Sequence, residues 1–346
     1  MRHKTNRFIS LFFVIFFMFS ANACASSQTV PDQNLSSQNQ NLSTEPPLTE
    51  FSETSASAES SKGPSAFDPY TIENHYDISE ELFEKRDDVD YGTIEKDVTY
   101  YSTTADDEKQ CNILLPAGYD ENGQYPVMYV FHGFGGDHTD QIDDDSYLVL
   151  LYGNMLHEQL AVPMIIVNAD MYTDKLADKD NKTDEELRYI YDKAIDDIAL
   201  DLMPFIEQNY AVKTGRENTA VAGMSEGGAK SLCTGFRWLD RFGYIAAFAP
   251  DPGVIPTRFY KGTYWNTPVF DAFPQPTDET TPFYLYLAVG DEDPWNTDVT
   301  LYYQEVLDDM GIRNQTDLVE GYEHDYLFWQ QCFYNFLSKC FQTEIG

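Results

Sequence analysis

The ten residues Thr219-Ala-Val-Ala-Gly-Met-Ser-Glu-Gly-Gly228 restrict what this chain can fold into more than any other stretch. A short apolar, β-prone run ends in Gly223-Met224-Ser225-Glu226-Gly227 and passes into Ala229-Lys-Ser-Leu-Cys233, so the order is strand, sharp turn, helix. A serine at the tip of such a turn sits in strained backbone. Glycine is needed on either side because a Cβ there meets the neighbouring strand or helix. The turn lifts the Ser225 hydroxyl into the open. It also aims the amide of Glu226 and the positive end of the following helix at one point, where a developing oxyanion finds a donor and a favourable dipole. The same pattern arises by chance as a tight turn with a solvated serine, and the two readings part on whether a matching acid and histidine lie downstream.

The rest of the chain alternates strands and helices. Residues 98–102 and 111–115 read as strands joined across the polar loop 103–109, an antiparallel opening to a sheet. Residues 126–131 form a continuous apolar run, as in a central strand buried on both faces, and 164–168, 219–222, 244–248 and 283–289 repeat it. The clearest helix is expected over 185–210, where Leu187, Ile190, Ala194, Ile195, Ile198, Leu202 and Ile206 recur at helical spacing and Pro204 introduces a kink. Such alternation implies an α/β fold, a mostly parallel central sheet with helices on both faces. In these sheets functional groups gather beyond the carboxyl ends of the strands.

Ahead of this body lie two segments of different character. Arg2, Lys4 and Arg7 precede the apolar run 8–19, which is too short and too one-sidedly flanked for a membrane span and reads as a signal peptide over residues 1–23. Two exits compete: cleavage after Ala21-Asn22-Ala23, or lipidation of Cys24 as in bacterial lipoproteins, with the second favoured. Residues 24–66 are rich in Ser, Thr, Gln and Asn with Phe51 as the one aromatic residue, and read as a disordered tether that cannot bury enough apolar area to order itself. The expected folded domain is 67–346, and the product is expected to be exported, at the cell surface or secreted. Removal of residues 1–23 takes away three basic side chains and no acidic one, moving the net charge from −36 to −39. That excludes nucleic acid as a partner and leaves the membrane reachable only through a lipid on Cys24. Cys111, Cys233, Cys332 and Cys340 permit one or two disulfides or stand as core residues, and no cysteine or histidine spacing points to a metal site.

The residue types that Ser225 would need are present in the right order. Phe131-His-Gly-Phe-Gly-Gly-Asp137 follows the central strand directly, so the amide of Phe134 is the candidate second oxyanion donor beside that of Glu226. Gly290-Asp-Glu-Asp-Pro-Trp295 ends a later strand and offers carboxylates to orient a histidine; Asp293 fits a Gly-x-x-Asp turn, with Asp291 the rival and Asp251 a weaker third. Either aspartate of that turn could instead cap the helix expected from 297 to 310. His324 lies in Gly321-Tyr-Glu-His-Asp-Tyr-Leu-Phe-Trp329, after a short strand at 316–319 and before a last aromatic helix. His3, His75 and His157 are misplaced for the role, His132 is expected to bond its own loop, and His138 is expected to be solvated. The order Ser225, Asp293, His324 is the serine, acid, histidine order of one catalytic fold class and not of the trypsin or subtilisin classes.

The stretches 129–136, 201–207, 220–228, 290–293 and 321–329 resemble the feruloyl esterases and their esterase D-like relatives, over most of residues 109–335. The resemblance implies an α/β-hydrolase fold, a serine esterase needing no cofactor, and hydrolysis of feruloyl or related hydroxycinnamoyl esters on plant cell-wall polysaccharide or its oligosaccharides. Acetylxylan esterases and acyltransferases use the same parts, and a surface glycan-binding lipoprotein without turnover is the reading from another class. Glu226 and Tyr322-Glu323 depart from the family pattern by adding carboxylate and bulk near the site, and Glu226 is expected to disfavour anionic substrates. The excursion 254–270 is expected to overhang the site, with Tyr260, Tyr264 and Trp265, joined by Trp295, as candidate substrate-binding aromatics.

Overall fold

Residues 126–131 carry no charged side chain, and in the computed structural model they supply a strand at the middle of an eight-stranded sheet; residues 67–259 and 267–342 are described. The strands are β1 (Thr93–Ser102), β2 (Asp107–Leu115), β3 (Val127–Phe131), β4 (Ile165–Ala169), β5 (Thr219–Met224), β6 (Tyr244–Phe248), β7 (Tyr284–Gly290) and β8 (Gln315–Val319). Their order across the sheet is β1-β2-β4-β3-β5-β6-β7-β8. β1 and β2 run antiparallel, β2 is antiparallel to β4, and the six strands from β4 to β8 are mutually parallel. Each strand expected from the sequence is present. β1 extends furthest beyond its expected span because its first half, around Glu95, Lys96 and Asp97, is a half-exposed sheet edge without an apolar run to announce it.

Among the described residues, seven α-helices flank the strands: α1 (Tyr147–His157), α2 (Asp184–Asp192), α3 (Ala194–Asp197), α4 (Met203–Asn209), α5 (Glu226–Arg237), α6 (Thr297–Asp309) and α7 (Tyr326–Leu337). The parallel strands present alternate side chains to two cores. Tyr129 and Phe131 of β3 pack with Leu232 and Phe236 of α5 and Tyr303 of α6, while Met128 and Val130 pack with Leu151 of α1 and Phe333 of α7. Each such side chain removed from water contributes about 1.5–3 kcal/mol, which is why both faces of the strands read as apolar.

The single helix expected over 185–210 is divided instead. Helix α2 ends at Asp192, and the five residues Ile198–Leu202 between α3 and α4 form a π-helical turn. Pro204 explains the position of the distortion: it has no N–H to give and its ring crowds the carbonyl four residues back, so the turn before it widens.

Two features of the sheet locate a site. From β3 the chain crosses to β4 on one side, and β5 then pairs with β3 on the other, so the connections diverge at the carboxyl end of β3 and leave a crevice there. Phe131 pairs with Gly223, which sets the loop after β3 beside the turn after β5.

Cys111, Cys233, Cys332 and Cys340 are buried free thiols in the two cores, so the expected option of disulfides gives way to ordinary core packing. The midpoint of thermal unfolding of the protein should therefore be the same with and without a thiol reductant. A fall on reduction would show a disulfide that this packing does not contain.

Candidate active site

Ser225 occupies a backbone conformation that a residue with a side chain rarely adopts, φ 55° and ψ −124°. Two hydrogen bonds hold it there. The Ser225 amide donates to the Phe248 carbonyl at 2.9 Å, and the Asp251 amide donates to the Ser225 carbonyl at 3.0 Å, so the end of β6 clamps the turn on both sides. The two flanking glycines are fixed by distance. A Cβ on Gly223 would lie 2.4 Å from the Gly227 carbonyl oxygen, against α5, and one on Gly227 would lie 2.3 Å from the His132 carbonyl oxygen, against the end of β3.

His324 reaches Ser225 from the loop between β8 and α7. Its Nε2 is 3.0 Å from Ser225 Oγ and its Nδ1 is 2.6 Å from Asp293 Oδ2. A carboxylate can only accept, so Nδ1 carries the hydrogen and the Nε2 lone pair faces the serine hydroxyl. The ring is held edge-on between Trp295 and Trp329, at centroid distances of 5.2 and 5.3 Å. Burial by itself would raise the Asp293 carboxyl, but the hydrogen bond and charge of His324 and the amides of Asn296 and Trp295 outweigh it and hold Asp293 below the usual carboxylate range.

Asp293 performs two tasks that the sequence reading had divided between aspartates. Its Oδ1 accepts the Trp295 and Asn296 amides at the entrance to α6, while Oδ2 serves His324. Asp291 is not near the imidazole by hydrogen bonding; it accepts the Gly321 amide at 2.7 Å and so anchors the loop that carries His324. Gly290 is required at the crossing of these loops, because a Cβ there would lie 2.0 Å from the Tyr322 carbonyl oxygen.

Phe134 lines the same cavity as Ser225, and Glu226 follows the serine directly in the chain. The Glu226 amide is the first of α5 and has no carbonyl a turn earlier to bond, and among the described residues the Phe134 amide donates to no backbone carbonyl. His132 is fully buried: its Nε2 accepts the Met171 amide at 3.0 Å, so Nδ1 donates to the Gly133 carbonyl at 2.7 Å and both ring nitrogens are spent on loop structure. His138 differs from expectation. It is buried, with Nε2 2.9 Å from Asp97 Oδ1, because the bulge in β1 brings that aspartate over the loop.

Glu226 also departs from what its position suggested. Its carboxylate is wholly buried beneath the turn, paired with Arg188 and with Lys230 Nζ at 3.0 Å, and presents no charge to a substrate. Arg188 is the residue that sequence reasoning passed over. A capping box of Thr183 and Glu186 starts α2 and sets its phase, so that Ile190 and Tyr191 enter the core while Arg188 stacks on the Phe134 ring at 4.5 Å and reaches Asp251 Oδ2 at 3.0 Å. Asp251 Oδ1 in turn accepts from Asn296 Nδ2 at 2.7 Å and lies 3.3 Å from Ser225 Oγ. Among the described residues Asp251 thus hydrogen-bonds the serine, while the carboxylate bonded to His324 is Asp293.

Phe134, Arg188, Asp251, Trp295 and His324 surround Ser225 in a cavity of about 270 Å³. A larger cavity of about 550 Å³ lies beside residues 70–76 along β8, but it is lined by neither Ser225 nor His324, and the smaller one is the candidate site. Tyr260, Tyr264 and Trp265 lie outside the described residues; of the four candidate aromatics, Trp295 is placed at the cavity, 60% exposed.

The family model Esterase, described as "Putative esterase", matches residues 102–337. The chain belongs to the Esterase family. The matched domain is a carboxylic ester hydrolase with the α/β-hydrolase fold. It is similar to a CE1 ferulic acid esterase of Anaeromyces mucronatus solved in complex with ferulic acid, at 32% identity over 78% of this chain and 98% of that one, with a TM-score of 0.70. It is 25% identical over 272 residues to an endo-1,4-beta-xylanase/feruloyl esterase of Xylanibacter ruminicola, covering 76% of this chain and 33% of the relative, so the chain spans about a third of that protein's length. A feruloyl esterase module from Clostridium thermocellum, solved with sinapinate, shares the fold at 15% identity and a TM-score of 0.55, over 78% of this chain and 94% of that one.

Burial raises the Glu226 carboxyl, Lys230 lowers it, Asp251 raises it and Arg188 lowers it, with a net rise from 4.5 to about 7. A carboxyl raised in the folded state contributes stability that is fully present below its ordinary value and lost as pH rises through about 7. Thermal stability of the wild type should therefore decline between about pH 4.5 and 7 relative to Glu226→Gln, which cannot titrate there. Parallel melting curves across that range would refute the assignment of a shifted Glu226.

Proposed function

We propose that this domain hydrolyses feruloyl or related hydroxycinnamoyl esters on plant cell-wall polysaccharide, by a Ser225-His324-Asp293 relay. The observation that carries the mechanism is the pair of distances, 3.0 Å from His324 Nε2 to Ser225 Oγ and 2.6 Å from Nδ1 to Asp293. His324 takes the hydroxyl proton as Ser225 Oγ attacks the ester carbonyl carbon, and Asp293 fixes the tautomer and stabilises the imidazolium. The amides of Phe134 and Glu226 receive the oxyanion. His324 then gives its proton to the departing alcohol, and the acyl-enzyme is cleaved by water along the same path. The acyl preference rests on the ferulic acid esterase of Anaeromyces mucronatus and on Trp295, whose exposed ring stands beside the histidine. The cell-wall substrate rests on the xylanase/feruloyl esterase of Xylanibacter ruminicola. Export, with a lipid anchor at Cys24 and residues 24–66 as a tether, is part of the same reading and rests on sequence alone.

Ser225→Ala and His324→Ala should each lower turnover of methyl ferulate by about a thousandfold or more, with the fold intact by circular dichroism. Near wild-type turnover in folded Ser225→Ala would overturn the mechanism.

Trp295→Ala should weaken kcat/KM on methyl ferulate by about tenfold while changing hydrolysis of a small acetyl ester much less, because only the former has a ring to stack. Equal losses on both esters would show that Trp295 does not read the acyl group and would favour acetylated xylan as substrate.

A further inference from the structure

A charged chain runs from the serine into the protein, and the ester hydrolysis outlined above does not use it. Asp251 Oδ1 lies 3.3 Å from Ser225 Oγ, while His324 Nε2 lies 3.0 Å from the same oxygen, so the serine hydroxyl has two acceptors for one proton. A proton pointed at Asp251 is unavailable to the base. A bare carboxylate at that distance also opposes the negative charge that grows on the substrate during attack, in a pocket where charges are poorly screened.

The groups around Asp251 answer both problems. Arg188 Nη1, from α2, approaches Asp251 Oδ2 at 3.0 Å, and Asn296 Nδ2, at the start of α6, donates to Oδ1 at 2.7 Å. Arg188 is itself shared with Glu226, which pairs with Lys230 at 3.0 Å, and Lys230 pairs with Asp192 of α2 at 2.6 Å. Glu226 and Lys230 are fully buried, so the chain is a built element and not a surface ion pair.

We propose that Arg188 is a positioning residue that acts through Asp251, cancelling the carboxylate beside Ser225 so that the hydroxyl proton is offered to His324. The inference rests on Ser225 being the nucleophile and His324 its base. It differs from that reading in what it demands of α2: Arg188 is placed to act on the charge beside the three reacting groups and not on those groups themselves.

The test uses the pH dependence of kcat on methyl ferulate for Arg188→Gln, Asp251→Asn and the double variant, with melting temperatures measured alongside. Because loss of Arg188 alone also leaves Glu226 buried with one partner fewer, the set is repeated in a Glu226→Gln background, where Asp251 is the one carboxylate that loses Arg188. Arg188→Gln should lower kcat by about tenfold or more with little change in KM, and move the acid limb of the profile to higher pH, since an exposed carboxylate favours the imidazolium. Asp251→Asn should move that limb the opposite way. In the double variant kcat should recover most of what Arg188→Gln lost. Limbs that move together or not at all, or a double variant as slow as Arg188→Gln, would overturn the proposal while Ser225→Ala remains inactive. Turnover surviving in Ser225→Ala would instead remove the reading on which it stands.

Discussion

The backbone clamp on Ser225 is the constraint on which the rest of the site depends. A residue with a side chain held at positive φ costs about 1–3 kcal/mol, and two backbone hydrogen bonds of about 0.5–1.5 kcal/mol each are of the size needed to offset it. Both bonds come from the segment that leaves β6, the Phe248 carbonyl on one side and the Asp251 amide on the other. The serine therefore inherits its position from the β5–β6 pairing, and its distance from the Phe134 loop from the β3–β5 pairing, where Phe131 faces Gly223. The close approach of Gly227 to the His132 carbonyl completes the arrangement, since it lets α5 start directly against the end of β3. Side chains could change widely around this frame without moving the serine.

Much of this frame was legible because its parts have strong local signatures. Apolar runs without charge announce strands buried on two faces, and a serine between glycines after such a run marks the strand–turn–helix junction found at Ser225. The placement of His324 followed from elimination among six histidines and from its position after the last strand. What could not be read depends on contacts between distant segments. Arg188 sits in the charge-rich run Asp184-Glu-Glu-Leu-Arg-Tyr-Ile-Tyr-Asp192, where nothing distinguishes it from a solvated helix face until α2 packs on the Phe134 loop. Glu226 looked like a charge at the mouth of the site for the same reason; its partners Arg188 and Lys230 become neighbours only in the fold. The two oxygens of Asp293 serve different masters, a division that no spacing rule contains. His138 was misjudged because the aspartate that holds it comes from a bulge in the edge strand.

The electrostatics of the site also fit the overall acidity of the chain. With a formal charge of −36, most surfaces repel anions, yet the cavity at Ser225 has its nearest carboxylates matched: Asp293 by His324, and Asp251 by Arg188 and Asn296. A site meant to develop negative charge on a carbonyl oxygen needs that local compensation more than it needs any particular net charge on the molecule.

An activated serine is the feature that separates this arrangement from a fold that binds without turning over. The most direct measurement is reaction of the protein with an organophosphonate, followed by mapping of the adduct by mass spectrometry. One adduct per chain on Ser225, lost in His324→Ala, is the expected result. An unlabelled Ser225 in the folded domain, or labelling that His324→Ala leaves unchanged, would contradict it.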